Sequence, residues 1–423
     1  MIRYPRRNCA SLIICTSIIV FPFGYLFFGQ YLNFGRESNE KISIRTESII
    51  KSGIENLETN KYDSIIDDYE FSKFLLPNTN RQANAVESGN LSFDQIRRGS
   101  IDENGLLTNS NRTVGGIRFD AQGLSSSDVL VFLHIQKTGG TTFERYLVRQ
   151  LAVPRPCQCR VGRKRCYCRR PGNGLWLFSR FSNGWPCGLH ADYTELIASG
   201  CVEKVLNQEE KKNKIKNLEK KTRRYFLTTF LREPISRFYS EYRHVTQRGA
   251  TWSAALHVCN GRRASNDELP PCYDAQTGWV GATLKEFVDC QWNLAHNRQT
   301  RMLADLTLVN CYNRSGWTNQ LRESTMLRSA IVNLKRMAYF GMQDDMRRSQ
   351  YIFERTFGLE FKKPLLNWNE TSDLNELTQE QLENIRRVNR LDIELYEFAK
   401  KLFNQRFDQL KNEDPLYDVN MAT

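Results

Sequence analysis

One segment constrains this chain more than any other. Asp128-Val-Leu-Val-Phe-Leu-His134-Ile135-Gln136-Lys137-Thr138-Gly139-Gly140-Thr141-Thr142-Phe143 carries an apolar run, Val129 to Ile135, into a glycine loop and then a helical pattern from Phe143 to Leu151. Such a run reads as a buried parallel strand. Strand, glycine loop and helix together are a recipe for holding a phosphate. Glycines let the backbone approach closely, and a helix N-terminus presents unpaired N–H groups and the positive end of a dipole. Lys137 adds a point charge, and the threonine hydroxyls add donors. The bland alternative is a plain strand-to-helix turn. The loop is not the nucleoside-triphosphatase sequence G-x-x-x-x-G-K-[ST], because Lys137-Thr138 precedes the glycines instead of following them, which disfavours kinase-type chemistry.

A second strand, turn and helix begins at Tyr225. The run Tyr225 to Leu231 is followed by Arg232-Glu-Pro234, and proline suits the first turn of a helix. Arg232 stands at the strand's end, with Ser240 about two helical turns onward. Arginine is the best side chain for bidentate phosphate capture, although a lone arginine after a strand is more often in a surface salt bridge. Two such elements in one α/β domain point to a ligand with two separate phosphate groups.

The chain has 423 residues, 60 Lys+Arg against 47 Asp+Glu, and 40% hydrophobic residues, enough for a real core and unlike a disordered, collagenous or coiled-coil chain. With a mean hydropathy of -0.54, several membrane spans are excluded. One stretch, residues 10–32, is long, apolar and uncharged, and is expected to be a transmembrane signal-anchor. Arg3, Arg6 and Arg7 precede it, so the positive-inside bias leaves a cytoplasmic tail at 1–9 and a lumenal remainder, a type II topology. A cleaved signal peptide is the alternative. Residues 33–117, rich in Asn, Ser, Glu and Lys, read as a stem; 118–411 as the lumenal domain; 412–423 as a tail.

Of 12 cysteines, Cys9 and Cys15 lie in or beside the span, and the other ten fall between Cys157 and Cys311. An even set in an exported domain reads as disulfides, of unspecified pairing. Cys157-x-Cys159 and Cys166-x-Cys168 lack the wider gap of zinc knuckles, so no metal is expected. Sequons at Asn90, Asn111, Asn313 and Asn369 also suit a lumenal chain and are candidate glycosylation sites. The charge-dense stretch Glu203 to Arg224 reads as a solvated helix or insertion. Thr378 to Gln381 matches a capping box, opening an amphipathic helix whose apolar positions run from Leu382 to Leu402.

Between the two phosphate elements, Arg155 to Arg170 contains seven Lys or Arg and no acid, followed by the aromatic-rich Trp176 to Asp192. Basic residues interleaved with aromatics can bind nucleic acid, but a lumenal domain meets sulfated glycans instead, so no nucleic-acid partner is expected. A solvated basic loop is the bland alternative. Histidines number five. His190 lies in a Gly/Cys/Pro-rich loop, where a general base is commonly presented. His134 lies in the core strand, His244 follows the second helix, and His257 and His296 read as structural.

Taken together, HIQKTGGTTF (134–143), the paired C-x-C motifs, WLFSRFSNGWPCGLHADYTEL (176–196), LREPISRFYSEYRHV (231–245), RGATW (248–252) and NRQTRMLADLTLV (297–309) resemble the heparan-sulfate 6-O-sulfotransferases, over about residues 128–410. The resemblance implies a sulfotransferase (P-loop-like) α/β fold with a central parallel sheet flanked by helices, and 3′-phosphoadenylyl sulfate (PAPS) as donor. It implies that residues 134–142 hold the 5′-phosphosulfate, with Lys137 against the leaving phosphate. Arg232 and Ser240 would hold the 3′-phosphate, and Leu366, Asn367, Trp368, Ser372 and Asp373 would complete the donor site. His190 would be the base for the glucosamine 6-hydroxyl, and Lys164, Arg165, Arg180, Trp185, His244 and Trp252 would meet the heparan sulfate. The chain departs from the family's Arg-Ala at Ser372-Asp373 and has one extra residue between His244 and the RGATW block. A Golgi location is likewise implied. Transfer to another glycan position and an inactive heparan-binding protein are the competing readings.

Overall fold

The computed structural model describes residues 128–170, 174–212, 223–248, 257–274, 276–366 and 374–422. The expected cytoplasmic tail, membrane span and stem lie outside them, as do Asn90, Asn111, Trp252 and the donor segment from Asn367 to Asp373. Among the described residues, no helix is long and apolar enough to cross a membrane.

The elements that position the site are, in chain order, β1 (Val129–Phe132), α1 (Gly140–Arg149), β2 (Leu177–Phe178), α2 (Cys201–Lys212), β3 (Tyr225–Leu231), α3 (Pro234–Arg248), α4 (Asn319–Arg336), β4 (Tyr339–Met342), α5 (Met346–Phe357) and α6 (Arg390–Glu413). The four strands form one sheet in the order β2-β1-β3-β4. Every pair is parallel, with Val129 opposite Tyr225 and Thr228 opposite Tyr339. All residues of β1, β3 and β4 are buried, as a sheet covered on both faces requires.

Side-chain alternation divides the core into two layers. Tyr339 faces α1 and α5, where its ring centroid lies 5.7 Å from Phe143 and 5.2 Å from Phe353. Its neighbour Phe340 faces the other way, onto Phe403 of α6 at 6.2 Å. From β1 the chain moves first to β2 on one side and then to β3 on the other. This reversal opens a crevice at the carboxyl ends of β1 and β3, the place where open α/β sheets bind ligands.

The second strand, turn and helix forms as the sequence indicates, with β3 ending at Leu231 and α3 starting at Pro234. The first helix begins at Gly140 rather than Phe143, because Gly139 takes the left-handed cap conformation and frees the next residues to coil. The Thr378 capping box is present, with Gln381 answering it. The helix it opens does not run to Leu402, however. It stops at Val388, and α6 begins at Arg390. Asn389 between them is fully buried and uses its amide on Ile385 O at 2.9 Å and Asn297 N at 3.3 Å. The bond to Asn297 is long-range and is made where the helix breaks within an unbroken apolar pattern.

The ten cysteines from Cys157 to Cys311 pair as Cys157–Cys168, Cys159–Cys166, Cys187–Cys201, Cys259–Cys311 and Cys272–Cys290. The first two staple a ribbon in which Gln158–Cys159 pairs with Cys166–Tyr167. The described start of the charge-dense stretch lies in α2, and Arg223 beyond it pairs with Glu203 at 2.6 Å and with Glu210, so part of the charge is neutralised internally.

Candidate active site

The loop after β1 is shaped by two left-handed residues, Lys137 (φ 66) and Gly139 (φ 84). A side chain on Gly139 would come within 3.1 Å of Gln343, and one on Gly140 within 3.1 Å of the Phe132 ring. The two glycines therefore keep a narrow cradle open. Gly139 caps α1 without a side-chain hydrogen bond, which leaves the first two N–H groups of the helix, Gly140 and Thr141, without a side-chain cap. Thr138 turns inward: its buried hydroxyl donates to Ile135 O at 3.1 Å and closes the loop. Gln136 is also buried, with Oε1 lacking a hydrogen-bond partner.

Arg232, at the end of β3, reaches across the crevice to the same loop. Its Nη1 donates to Lys137 O at 3.3 Å. The Gln299 side chain holds the Arg232 backbone on both sides, accepting from its N at 3.0 Å and donating to its O at 2.9 Å. Gln299 is fixed in turn by the fully buried Asp392, which accepts from the Gln299 and Thr300 amides at 3.0 and 2.7 Å. Burial lowers the Arg232 pKa, but a guanidinium begins so high that it stays charged. Ser240 is buried on α3.

His190 sits above the same loop in a left-handed conformation (φ 54), on a segment tied down by Cys187–Cys201. Its ring is 4.9 Å from His134 and 4.6 Å from Trp185. Nδ1 lies 3.4 Å from His134 O. A carbonyl can only accept, so Nδ1 carries the proton and Nε2 is the basic nitrogen. Burial first, and the neighbouring His134 next, hold the His190 pKa well below the usual 6.5, which keeps the ring neutral.

Beneath this pair is a residue that the sequence reading missed. Glu144 of α1 is fully buried, hydrogen-bonds His134 Nδ1 through Oε2 and accepts from the Arg180 amide at 3.0 Å through Oε1. Burial pushes the Glu144 carboxyl up to about 8 and the His134 imidazole down to about 3. Both shifts favour a neutral pair, with the carboxyl proton donated to His134 Nδ1. The signal was present in the sequence: Glu144 falls on the helical stripe of Gly140, Phe143, Leu147 and Val148, where a carboxylate needs an explanation.

Of the expected acceptor residues, Arg180 lies over the Phe181 and Trp185 rings at 4.7 and 5.7 Å. Arg165 donates to Asn183 O at 3.4 Å, which brings the basic ribbon beside the Trp185 segment. Trp185 itself is 36% exposed. Lys164 is exposed next to Arg165, and His244 is half-buried on α3. Leu366, the last described residue of the donor segment, is exposed. Asn313 lies in a turn, its side chain accepting from Ser315 N at 2.9 Å; Asn369 lies outside the described residues. Among the described residues, no group of three or more His, Cys, Asp or Glu is arranged to hold a metal ion.

A parallel α/β sheet with a phosphate cradle at its switch point is the class of site that sulfotransferases build, and residues 124–399 match the family model described as the sulfotransferase family. Heparan-sulfate 6-O-sulfotransferase 1-B of Danio rerio is 50% identical over 293 residues, 69% of each chain. The Gallus gallus heparan-sulfate 6-O-sulfotransferase 2 is 49% identical over 69% of this chain and 70% of its own. The Homo sapiens heparan-sulfate 6-O-sulfotransferase 1 is 50% identical over 69% and 68%. The chain belongs to the heparan-sulfate 6-O-sulfotransferases of the sulfotransferase family.

Proposed function

We propose that this protein transfers the sulfuryl group of PAPS to the 6-hydroxyl of glucosamine residues in heparan sulfate, as a type II membrane protein of the Golgi whose catalytic domain is lumenal. The observation that supports the reading is His190 beside the strand end that leads into the glycine loop, its Nδ1 3.4 Å from the His134 carbonyl, which leaves Nε2 as the basic nitrogen. The acceptor hydroxyl attacks the sulfur in line. The sulfur–oxygen bond to the 5′-phosphate breaks, the proton passes to His190 Nε2, and 3′,5′-ADP leaves. Lys137 and the first N–H groups of α1 stabilise the charge that grows on the leaving phosphate. Arg232 and Ser240 take the 3′-phosphate, and residues 366–373 complete the donor site. Arg165, Arg180 and Trp185, with Lys164, His244 and Trp252, hold the sulfated chain.

Incubating the full chain with radiolabelled PAPS and N-sulfated heparosan, followed by disaccharide analysis, tests this. Label on the glucosamine 6-position is the expected result. Label elsewhere overturns the regiochemistry, and no label from protein that still binds PAPS overturns the activity.

Glu144 acts as a positioning residue, since it holds both His134, whose carbonyl orients His190, and the Arg180 segment. A neutral carboxyl has a close mimic in the amide: Gln donates to His134 Nδ1 and accepts from the Arg180 N–H. Glu144→Gln is therefore expected to keep kcat within about threefold, whereas Glu144→Ala loses about tenfold or more, mainly in kcat. A charged Glu144 would make the Gln variant as poor as the Ala variant, so steady-state kinetics of the two separate the cases.

A further inference from the structure

Away from the glycine loop, a cavity of about 490 Å³ opens among the short helix Arg298–Leu303, the turn before α4 and the helix ending at Val388. Four arginines line it: Arg301, Arg314, Arg322 and Arg387. So do three acids, yet each acid is already engaged by a cation from outside the lining. Glu268 pairs with Arg262 at 2.6 Å, Asp289 with Lys285, and Glu323 with Arg390. Apart from Arg301, which lies 3.9 Å from Asp192, the arginines are held by neutral oxygens. Arg314 donates to Gln291 O at 3.4 Å, Arg387 to Asn384 Oδ1 at 3.4 Å, and Arg322 to the carbonyls of Val309 and Cys311. Their hydrogen bonds fix their positions without neutralising their charge. Burial, and to a lesser degree the neighbouring Arg314, lower the Arg322 pKa.

One further feature suits a sugar rather than a bare ion. Arg314 lies over the Trp292 ring at 4.0 Å, giving a flat, rigid wall. The volume is in the range of pockets that enclose small ligands.

We infer that this cavity is a second anion-binding site, separate from the donor and acceptor residues, that takes a sulfated or carboxylated saccharide unit. The choice of a saccharide over another polyanion rests on the function proposed above; the positive cavity does not. A second grip of this kind holds a sulfated chain to the enzyme while a different stretch of it passes His190.

The test uses the full chain and a fully sulfated heparin-derived tetrasaccharide. Calorimetric titration of the wild type is expected to show a second class of site. In Arg314→Gln/Arg387→Gln that class weakens by about tenfold, as loss of charge-assisted bonds requires, while transfer to a tetrasaccharide acceptor is unchanged. Arginine-selective labelling read by peptide mass spectrometry, done on the wild type, does not depend on the variant folding. The tetrasaccharide should protect Arg314 and Arg387. A single class of site, or no protection at these two arginines, overturns the proposal. Protection by inorganic sulfate alone, with none added by the tetrasaccharide, overturns the saccharide. Binding here without any transfer would sink the proposed activity and leave the site standing.

Discussion

His190→Ala is expected to lower kcat by about two to four orders of magnitude while leaving PAPS affinity nearly intact. The size follows from the role proposed for His190, taking the hydroxyl proton in the transition state, and the selectivity from its place outside the glycine loop proposed to hold the donor. Single-turnover transfer and equilibrium PAPS binding, measured on the same preparation, check both halves. A parallel loss of donor affinity would show that His190 shapes the cradle instead of serving as the base. The pH profile gives an independent reading. Since burial and His134 hold the ring's pKa below 6.5, the acid limb of kcat/KM should fall below that value. A limb above it would contradict a buried, neutral His190.

Glu241→Ala is expected to cost about 4 kcal/mol of stability. Glu241 is buried between Arg237 and Arg298, and all three side chains are nearly inaccessible. Removing the carboxylate leaves two guanidinium groups facing each other without water. Burial alone would raise the Glu241 pKa, but Arg298 and then Arg237 overcome it and hold it at about 2, below the ordinary 4.5. A lowered carboxyl pKa stabilises the fold above pH 4.5, and that stability is lost as the pH falls toward 2. By linkage it amounts to about 3 kcal/mol. Denaturant titrations at pH 7 and pH 3 should therefore show a smaller wild-type-to-variant gap at the lower pH. Arg298 begins the short helix that carries Gln299, so the variant should also bind PAPS more weakly through a loosened Arg232. An unchanged unfolding midpoint would mean that the triad relaxes without penalty.

The parts of the fold that were legible in the sequence are those set by local pattern. Tyr225 to Leu231 reads as a strand because every residue in it is buried in a parallel sheet, and Pro234 marks the start of α3 because proline fits a first turn. Thr378 and Gln381 read as a cap because both partners lie within one turn. The features that were not legible depend on partners far along the chain. Asn389 breaks a helix for the sake of Asn297; Asp392 supports Gln299, and Gln299 supports Arg232, across gaps of 93 and 67 residues. The nesting of Cys157–Cys168 around Cys159–Cys166 follows from a ribbon too short to show periodicity. At the candidate site, the strand, glycine loop and helix were legible together from local pattern, whereas the part assigned to His190 came from family resemblance. Glu144 was hidden by its helix, where a polar residue on an apolar stripe is easily read as an edge position.

All five disulfides lie outside the four-stranded sheet. On the function proposed above, packing holds the sheet and the loop assigned to the donor, while a disulfide, Cys187–Cys201, ties down the loop bearing His190. A chain made in a reducing compartment would fail in a particular way. It would form the sheet and the glycine cradle and retain a nucleotide, yet the segment from Trp185 to His190 would drift from its partner and the sulfuryl group would go nowhere. On that reading, thiol oxidation acts as a chemical interlock on the proposed activity that needs no separate regulator.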